Sequence, residues 1–316
     1  MNIVMISEND PAGVAITFTK ALNQHTEHRC RLVTCATRYN FDFEKDLHVP
    51  DLTDEGFDEL RYTLAGADIF HFHILADENL TLGPLRVQDF VLGKAILHHH
   101  HGHPHFRANP GIYRDKYRKL RRKVLVSTPD LLKLLPEARW QPNPVPVNDP
   151  RYLPADAPRD GKVRVCQSPT RKEIKDTNLL LSAVSSLRKN HPELEAVIVE
   201  NKPHAECLRI KQGCDIHFDH MQGYFGVSSL EGLSQGKPVI AGLDDWNLSH
   251  IKEFTGRENS PWVIARNERH LEKGLKDLLN EPEKRTMMGR ESRYFMETVW
   301  TEKATVDRLL TFYKTL

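Results

Sequence analysis

Residues 214–242 read CDIHFDHMQGYFGVSSLEGLSQGKPVIAG. Asp215–Phe218 has the apolar content of a short strand. Polar residues and a glycine-bearing turn follow, and the pattern predicts a helix over Val227–Gln235. That helix carries Glu231 and stops at Gly236, a residue type suited to the left-handed position after a helix end. Lys237-Pro-Val-Ile-Ala241 opens the next strand. Strand, turn, helix and strand in this order form a βαβ unit. A helix that starts after a glycine turn presents unpaired N–H groups and the positive end of its dipole, which suits a phosphate. Glu231, one turn in, is placed to accept hydrogen bonds from ribose hydroxyls. The same spacing also fits a surface glutamate on an ordinary βα unit.

Working outward, the alternation continues in both directions. Strands are expected at Ile3–Ile6, Cys30–Thr34, Asp68–Phe72, Lys94–His98 and Val124–Thr128. Helical stretches are expected after Gly13, at Asp54–Leu64, Leu82–Leu92 and Tyr113–Arg122. The register breaks at Gln141, where QPNPVPVNDPRYLPADAPRDGK (141–162) is rich in Pro, Asn and Asp and reads as a linker. Alternation resumes with strands at Val163–Gln167, Ala196–Val199, Asp215–Phe218 and Val239–Ala241. The helices between them are Thr177–Arg188, Ala205–Lys211 and Val227–Gln235. Three more close the chain: Glu268–Leu279, Glu283–Val299 and Thr301–Lys314. The expected fold is α/β, with two Rossmann-like domains whose parallel sheets face a cleft. The domains are 1–145 and 146–300, with 301–316 as a closing helix, which a resemblance to a two-domain family implies crosses back to the first.

Composition bounds the function. The chain has 316 residues, which suits two domains, and a formal charge of +1. That balance argues against an obligate polyanion binder. Hydrophobic residues at 39% and charged residues at 28% suit a soluble globular protein. No apolar run approaches the roughly 20 residues that cross a bilayer. The start, MNIVMISEND, has no basic region before its apolar run, so no signal peptide is expected. Cys30, Cys35, Cys166, Cys207 and Cys214 lack CxxC spacing and read as reduced thiols of a cytoplasmic protein. The 17 histidines stand out, with HHHHGHPH at 98–105. Composition alone suggests a metal there.

The 214–242 segment resembles the C-terminal signature of GT-B glycosyltransferases of the retaining, family-4-like type. That signature is Glu, seven residues, Glu, within a pattern like EGFGLxxLEAMAxGxPVIA. GYFGVSSLEGLSQGKPVIAG matches the glycine, the second Glu as Glu231, and the GKPVIA tail. The first Glu falls on Gly223, so that acid, associated with donor-sugar contact, is absent. Asp219, Gln222, Tyr224 and Gly226 are similar in kind to a D-Q-x-x-x-G-x-Y-G run in a bacterial branch. QSPTRKEIKDTNLLLSAVSSL resembles the family's R-x3-K-G stretch. Arg171 and Lys175 fall on its diphosphate-binding positions, with Asp176 where a glycine is usual. Two exposed cations in a polar turn is the plainer reading of the pair.

The resemblance implies further roles. Gly13, in SENDPAGVAITFTKALN, would let the backbone approach donor phosphate or acceptor. The turn of Gly223, Tyr224, Phe225, Gly226 and Val227, with Glu231, would bind the nucleotide. His99, His101 and Gly102 match an H-x-H-G strand end, with His101 facing the donor sugar. A zinc reading needs three or four converging ligands. Consecutive strand residues point to opposite faces, so only His71 or His73 with His99 or His101 can converge across neighbouring strands. GT-B enzymes generally work without a metal, so no metal and no cofactor besides the donor are expected.

The resemblance thus implies a hexosyl- or pentosyltransferase using a UDP- or GDP-sugar, with retention of configuration. Catalytic roles fall on His101, Arg171 and Lys175. The acceptor is a glycan, a lipid-linked sugar or a nucleic acid. The last two would meet the basic run 114–123, with Tyr113 and Tyr117 interleaved, and the lipid case implies peripheral membrane contact. A solvated helix face is the plainer reading of that run. The alternatives are a GT-B-fold sugar-nucleotide epimerase or hydrolase, a non-catalytic sugar-nucleotide or nucleic-acid-binding module, and a zinc protein.

Overall fold

The computed structural model describes residues 1–38, 41–42, 44–156, 158 and 160–316. Ala157 and Arg159, in the expected linker, lie outside the described residues. The chain forms two units: Met1–Pro144 with Glu302–Leu316, and Val145–Thr301.

The first unit is built on a parallel sheet of seven strands in the order β3-β2-β1-β4-β7-β8-β9. These are β1 (Asn2–Ser7), β2 (Arg29–Thr34), β3 (Leu47–His48), β4 (Ile69–His73), β7 (Ala95–His100), β8 (Lys123–Val126) and β9 (Arg139–Trp140). A separate hairpin joins β5 (Thr81–Leu82) to β6 (Leu85–Arg86). Every residue of β1 after Asn2 is buried, as a strand covered on both faces requires. β1 pairs with β2 on one side and β4 on the other. The chain therefore changes direction across the sheet at the carboxyl ends of β1 and β4. Val4, Ile6, Phe70 and Phe72 form one core face with Leu60 and Leu64. Those leucines lie on helix α2 (Asp54–Ala65), whose N-cap Thr53 accepts a hydrogen bond from Gly56 N.

The other helices of this unit are α1 (Val14–His25), α3 (Pro104–Ala108), α4 (Pro110–Leu120) and, from the chain's end, α11 (Glu302–Tyr313). α11 packs on α1. The Arg308 Nε donates to the Trp140 carbonyl at 3.1 Å, and Gln141 Nε2 donates to the Thr305 carbonyl at 2.9 Å. The expected helix at Leu82–Leu92 is absent. Gly83 has φ +60 and Pro84 follows it, so the chain turns into the β5–β6 hairpin.

The second unit has a five-stranded parallel sheet in the order β11-β10-β12-β13-β14. The strands are β10 (Val163–Gln167), β11 (Leu194–Ile198), β12 (Ile216–Phe218), β13 (Val239–Ala241) and β14 (Trp262–Ile264). Between and after them lie α5 (Thr177–Leu187), α6 (His204–Gln212), α7 (Val227–Ser234), α8 (Asp245–Thr255), α9 (Glu268–Asn280) and α10 (Pro282–Thr298). The direction changes between β10 and β12, so Gln167 and Phe218 end the two strands that flank the crevice of such a sheet. Leu271, Leu275 and Leu278 give α9 its buried stripe against Ile216, Phe218 and Ile240. On the other side Phe225, Trp262, Phe295 and Trp300 interlock, mostly edge to face. Neither α8 nor β14 is predicted by the apolar pattern, α8 because its buried face is only Asn247 and Ile251.

Helix α7 must lie close to its sheet, and Gly232 allows it. A β-carbon on Gly232 would run into His217 Nδ1 and come within 3.0 Å of Val239 Cγ2. His217 cannot swing aside freely, because its Nε2 bonds the Lys211 carbonyl at 3.1 Å. Alanine in mid-helix normally gains about 1 kcal/mol over glycine. Here overpacking outweighs that gain, so Gly232→Ala should lower stability by about 1–3 kcal/mol in urea unfolding. A stabilised variant would show that α7 has room to move.

Candidate functional site

The most densely connected polar cluster of the second unit lies at the carboxyl ends of β10 and β12. Asp219 follows β12 directly and is 4% exposed. Its carboxylate accepts from Gly226 N at 2.6 Å and Ser229 Oγ at 2.8 Å. Lys175 Nζ and His220 Nε2 each stand 3.6 Å from its Oδ1. Burial would raise its pKa. His220, Lys175 and the two hydrogen bonds outweigh burial and hold it down to about 2. Gln167, at the end of β10, donates through Nε2 to the carbonyls of Lys175 and Asp219. It thereby ties the Arg171–Lys175 loop to β12. Sequence reasoning missed Gln167, which opens the QSPTRKEIK stretch but lies outside its R-x3-K pattern.

Arg171 is exposed and has no side-chain partner among the described residues. Lys175 is largely covered by the loop, with 20% of its side chain exposed. Asp176 explains why a glycine is usual at its position. It has φ +55, in the left-handed region that aspartate tolerates better than most residues. Its carboxylate adds what glycine lacks, accepting from Met221 N at 2.6 Å and Gln222 Nε2 at 2.8 Å. α7 starts beside this cluster. Its opening Val227 and Ser228 N–H groups have no acceptor within the helix, and Ser228 Oγ lies 3.1 Å from Ser168 Oγ.

Two of the side chains expected at the nucleotide, Phe225 and Glu231, are engaged within the unit. Phe225 is 1% exposed and belongs to the aromatic core with Trp262 and Trp300, so its ring cannot meet a nucleotide. Glu231 is 5% exposed, and both its oxygens are engaged. His204 Nε2 meets one at 2.8 Å and Lys211 Nζ donates to the other at 2.5 Å. Burial works against its ionisation, but Lys211 and His204 pull its pKa far below the usual range. Its geometry is that of a residue holding α6 to α7, not of an open ribose acceptor. Lys211, 1% exposed, gave no signal in the sequence. Gly223, on the missing acid's position, has φ +88, so a glutamate there would be strained. Its carbonyl instead accepts from Asp244 N and Asn247 Nδ2, both at 2.9 Å. Tyr224 packs edge-on against His220, with ring centres 4.6 Å apart.

In the first unit, Gly13 caps α1 with φ +64. The anion position at that helix start is filled from within, since Asp10 Oδ2 accepts from Ile16 N at 2.9 Å. His101 does not point a free nitrogen at solvent. Its Nε2 is 3.0 Å from His73 Nδ1, and its Nδ1 is covered and unpartnered. Burial pushes its pKa down to about 3. His101 thus lies with His73 and His99 in a cluster of imidazoles.

The basic run 114–123 is not a bare cationic face. Lys116 pairs with Asp77 at 2.6 Å, Arg118 with Glu137 at 3.0 Å, and Arg122 with Glu78 at 2.6 Å. Arg114 donates to the Leu134 carbonyl at 2.9 Å. Tyr117 is buried with its hydroxyl on His100, which removes it as a base-stacking platform. No helix among the described residues is long and apolar enough to cross a membrane.

No protein-family model matches the sequence, and no curated protein sequence matches it. Solved structures do share its fold. The HepE protein of Anabaena, in complex with UDP and glucose, matches with a TM-score of 0.68 at 11% identity over 100% of both chains. Sucrose-phosphate synthase from Thermosynechococcus elongatus gives 0.59 at 14% identity over 100% of this chain and 99% of the other. A glycosyltransferase from Rickettsia africae gives 0.59 at 13% identity over 99% of this chain and 98% of the other. The α/β architecture with parallel sheets is thus that of GT-B glycosyltransferases.

The cluster around Asp219 makes a pH-linked prediction. A carboxyl whose folded pKa is depressed contributes stability that is complete above the ordinary carboxylate range and lost as pH falls through the folded value. From 3.8 to about 2 that contribution is about 2 kcal/mol at pH 7. Asp219→Asn should therefore be less stable by about 2 kcal/mol in denaturant unfolding at pH 7, with the deficit shrinking below about pH 4. Equal stability at pH 7 would remove Asp219 from its central place.

Proposed function

We propose that the chain is a glycosyltransferase that moves a sugar from a UDP- or GDP-sugar to an acceptor hydroxyl. One observation carries the reading. At the crevice end of the second sheet, Lys175 lies beside the open start of α7, with Arg171 exposed on the same loop. Two cations and free N–H groups suit a diphosphate. The likeness in fold to HepE, whose structure holds UDP and glucose, supports a nucleotide-sugar as the ligand.

In this reading Lys175 turns from Asp219 to the diphosphate when the donor binds. Arg171 adds a second, mobile cation. Both stabilise the charge that grows on the leaving diphosphate as the glycosidic bond breaks. The turn at Gly223, Gly226 and Val227 contributes backbone contacts, and Tyr224 a ring edge. Glu231 positions α7 through Lys211 and Ser228, since Lys211 Nζ also donates to Ser228 Oγ at 2.8 Å. Catalysis comes from orientation and leaving-group stabilisation. Retention of configuration is part of the proposal and is read from the anomer of the product.

Incubation with UDP- and GDP-sugars, with and without sugar acceptors, tests it. Transfer is expected with one of the donors. Arg171→Ala and Lys175→Ala should each lower turnover by about 10²-fold, the scale of one electrostatic contact to the developing charge. Wild-type turnover in both variants overturns the diphosphate assignment. Epimerisation or hydrolysis of the donor, with no transfer to any acceptor, assigns the chain to those reactions instead.

A further inference from the structure

One face of the first sheet carries a group of imidazoles that the nucleotide-sugar reading does not use. His71 and His73 are two residues apart on β4 and so share a face. β7 pairs with β4 in parallel and sets His99 directly beside His73. The rings of His71 and His73 are 4.3 Å apart at their centres, and each lies 5.3 Å from the ring of His99. The three residues are 0%, 1% and 1% exposed. One ring nitrogen of each lies within 4.8 Å of those of the other two. Phe18 of α1 and Tyr313 of α11 pack against the group. His98 and His100 point to the opposite face, toward Glu78 and Tyr117, and take no part.

The hydrogen bonding of this group is lopsided. His71 Nε2, His73 Nε2 and both nitrogens of His99 are buried without a partner. Each such atom has lost its water without gaining a partner, which is unfavourable if nothing meets it. Four together within one cluster call for an occupant. The other nitrogens are well held. His71 Nδ1 lies 2.7 Å from the Tyr313 hydroxyl, and His73 Nδ1 lies 3.0 Å from His101 Nε2. With the proton on Nδ1 donated to these partners, each Nε2 lone pair is left free. That is the arrangement in which a metal-bound histidine is fixed by a partner on its far nitrogen.

We propose that His71, His73 and His99 form a three-nitrogen site for a late first-row transition metal ion, Zn2+ foremost. Tyr313 and His101 are its positioning residues. The donor set selects the metal class: imidazole without carboxylate suits Zn2+ and its neighbours and does not suit Mg2+ or Ca2+. Zinc–nitrogen bonds of 2.0–2.1 Å in tetrahedral geometry separate the nitrogens by about 3.4 Å, so modest ring rotations close the site. Three protein ligands leave the fourth position to water or hydroxide. The inference is independent of the diphosphate site, which lies in the other unit.

The test uses the full chain without a histidine tag, stripped by chelation and dialysed. It is titrated with Zn2+ or Co2+ alone. One equivalent should bind with a Kd below 1 μM, about the affinity scale at which a built site separates from scattered surface histidines. Co2+ should give the visible absorption of a four-coordinate nitrogen site, and Zn2+ should raise the Tm by mass action. His99→Leu should abolish the stoichiometric binding. Tyr313→Phe should weaken it by about 10- to 100-fold. His105→Gln, an exposed histidine outside the cluster, should leave it unchanged. Absence of stoichiometric binding to the wild-type chain overturns the proposal, as does undiminished binding in folded His99→Leu. If circular dichroism shows that variant unfolded, wild-type affinity in Tyr313→Phe and His73→Asn overturns it equally.

Discussion

The buried carboxylate of Asp219 sets the geometry of the second unit's crevice. It ends β12 in a place where its charge is sustained only by what surrounds it: Lys175, His220, the Gly226 N–H and the Ser229 hydroxyl. Those partners come from the loop after β10, from β12's own end and from the start of α7. One anion therefore fixes where a cation, a glycine turn and a helix N-terminus stand relative to one another. Gln167 and Asp176 reinforce it through the backbone, tying Lys175 and Met221 into the same frame. A site for a diphosphate needs cations and N–H groups already in place, because ordering them at the moment of binding costs affinity.

The fold was legible in the sequence because a parallel sheet covered on both faces demands apolar runs. Ile3–Ile6, Cys30–Thr34 and Val163–Gln167 stand close to the observed β1, β2 and β10. Leu82, Leu85 and Val87 mimic helical spacing, but Gly-Pro at 83–84 turns the chain into a hairpin there. At the site, spacing located the turn and α7 but not the direction of each side chain. Phe225 and Glu231 fall on motif positions, yet one ring faces the core and one carboxylate faces Lys211. Lys211 and Gln167 come from other strands and helices, and a local pattern carries no trace of such partners. Asp176 shows the converse: a departure from a motif that the backbone accommodates at φ +55.

The two units solve the same topological problem with opposite electrostatics. Each places polar groups near the carboxyl ends of neighbouring parallel strands. In the second unit those groups are ionised and paired, a preorganised field suited to an anion. In the first they are neutral imidazoles stacked against Phe18 and Tyr313, and their unmet nitrogens suit a cation. Identities of 11–14% to structures of the same fold fit this picture.

The central claim is that the crevice around Asp219 receives a nucleoside diphosphate. Amide hydrogen exchange of the full chain, with and without saturating UDP or GDP, measures it most directly. The account predicts slowed exchange in the segment Ser168–Asp176 and in Gly223–Ser229, where the loop and the start of α7 would close on the ligand. Unchanged exchange in both segments with either nucleotide, or protection confined to the first unit, would contradict it.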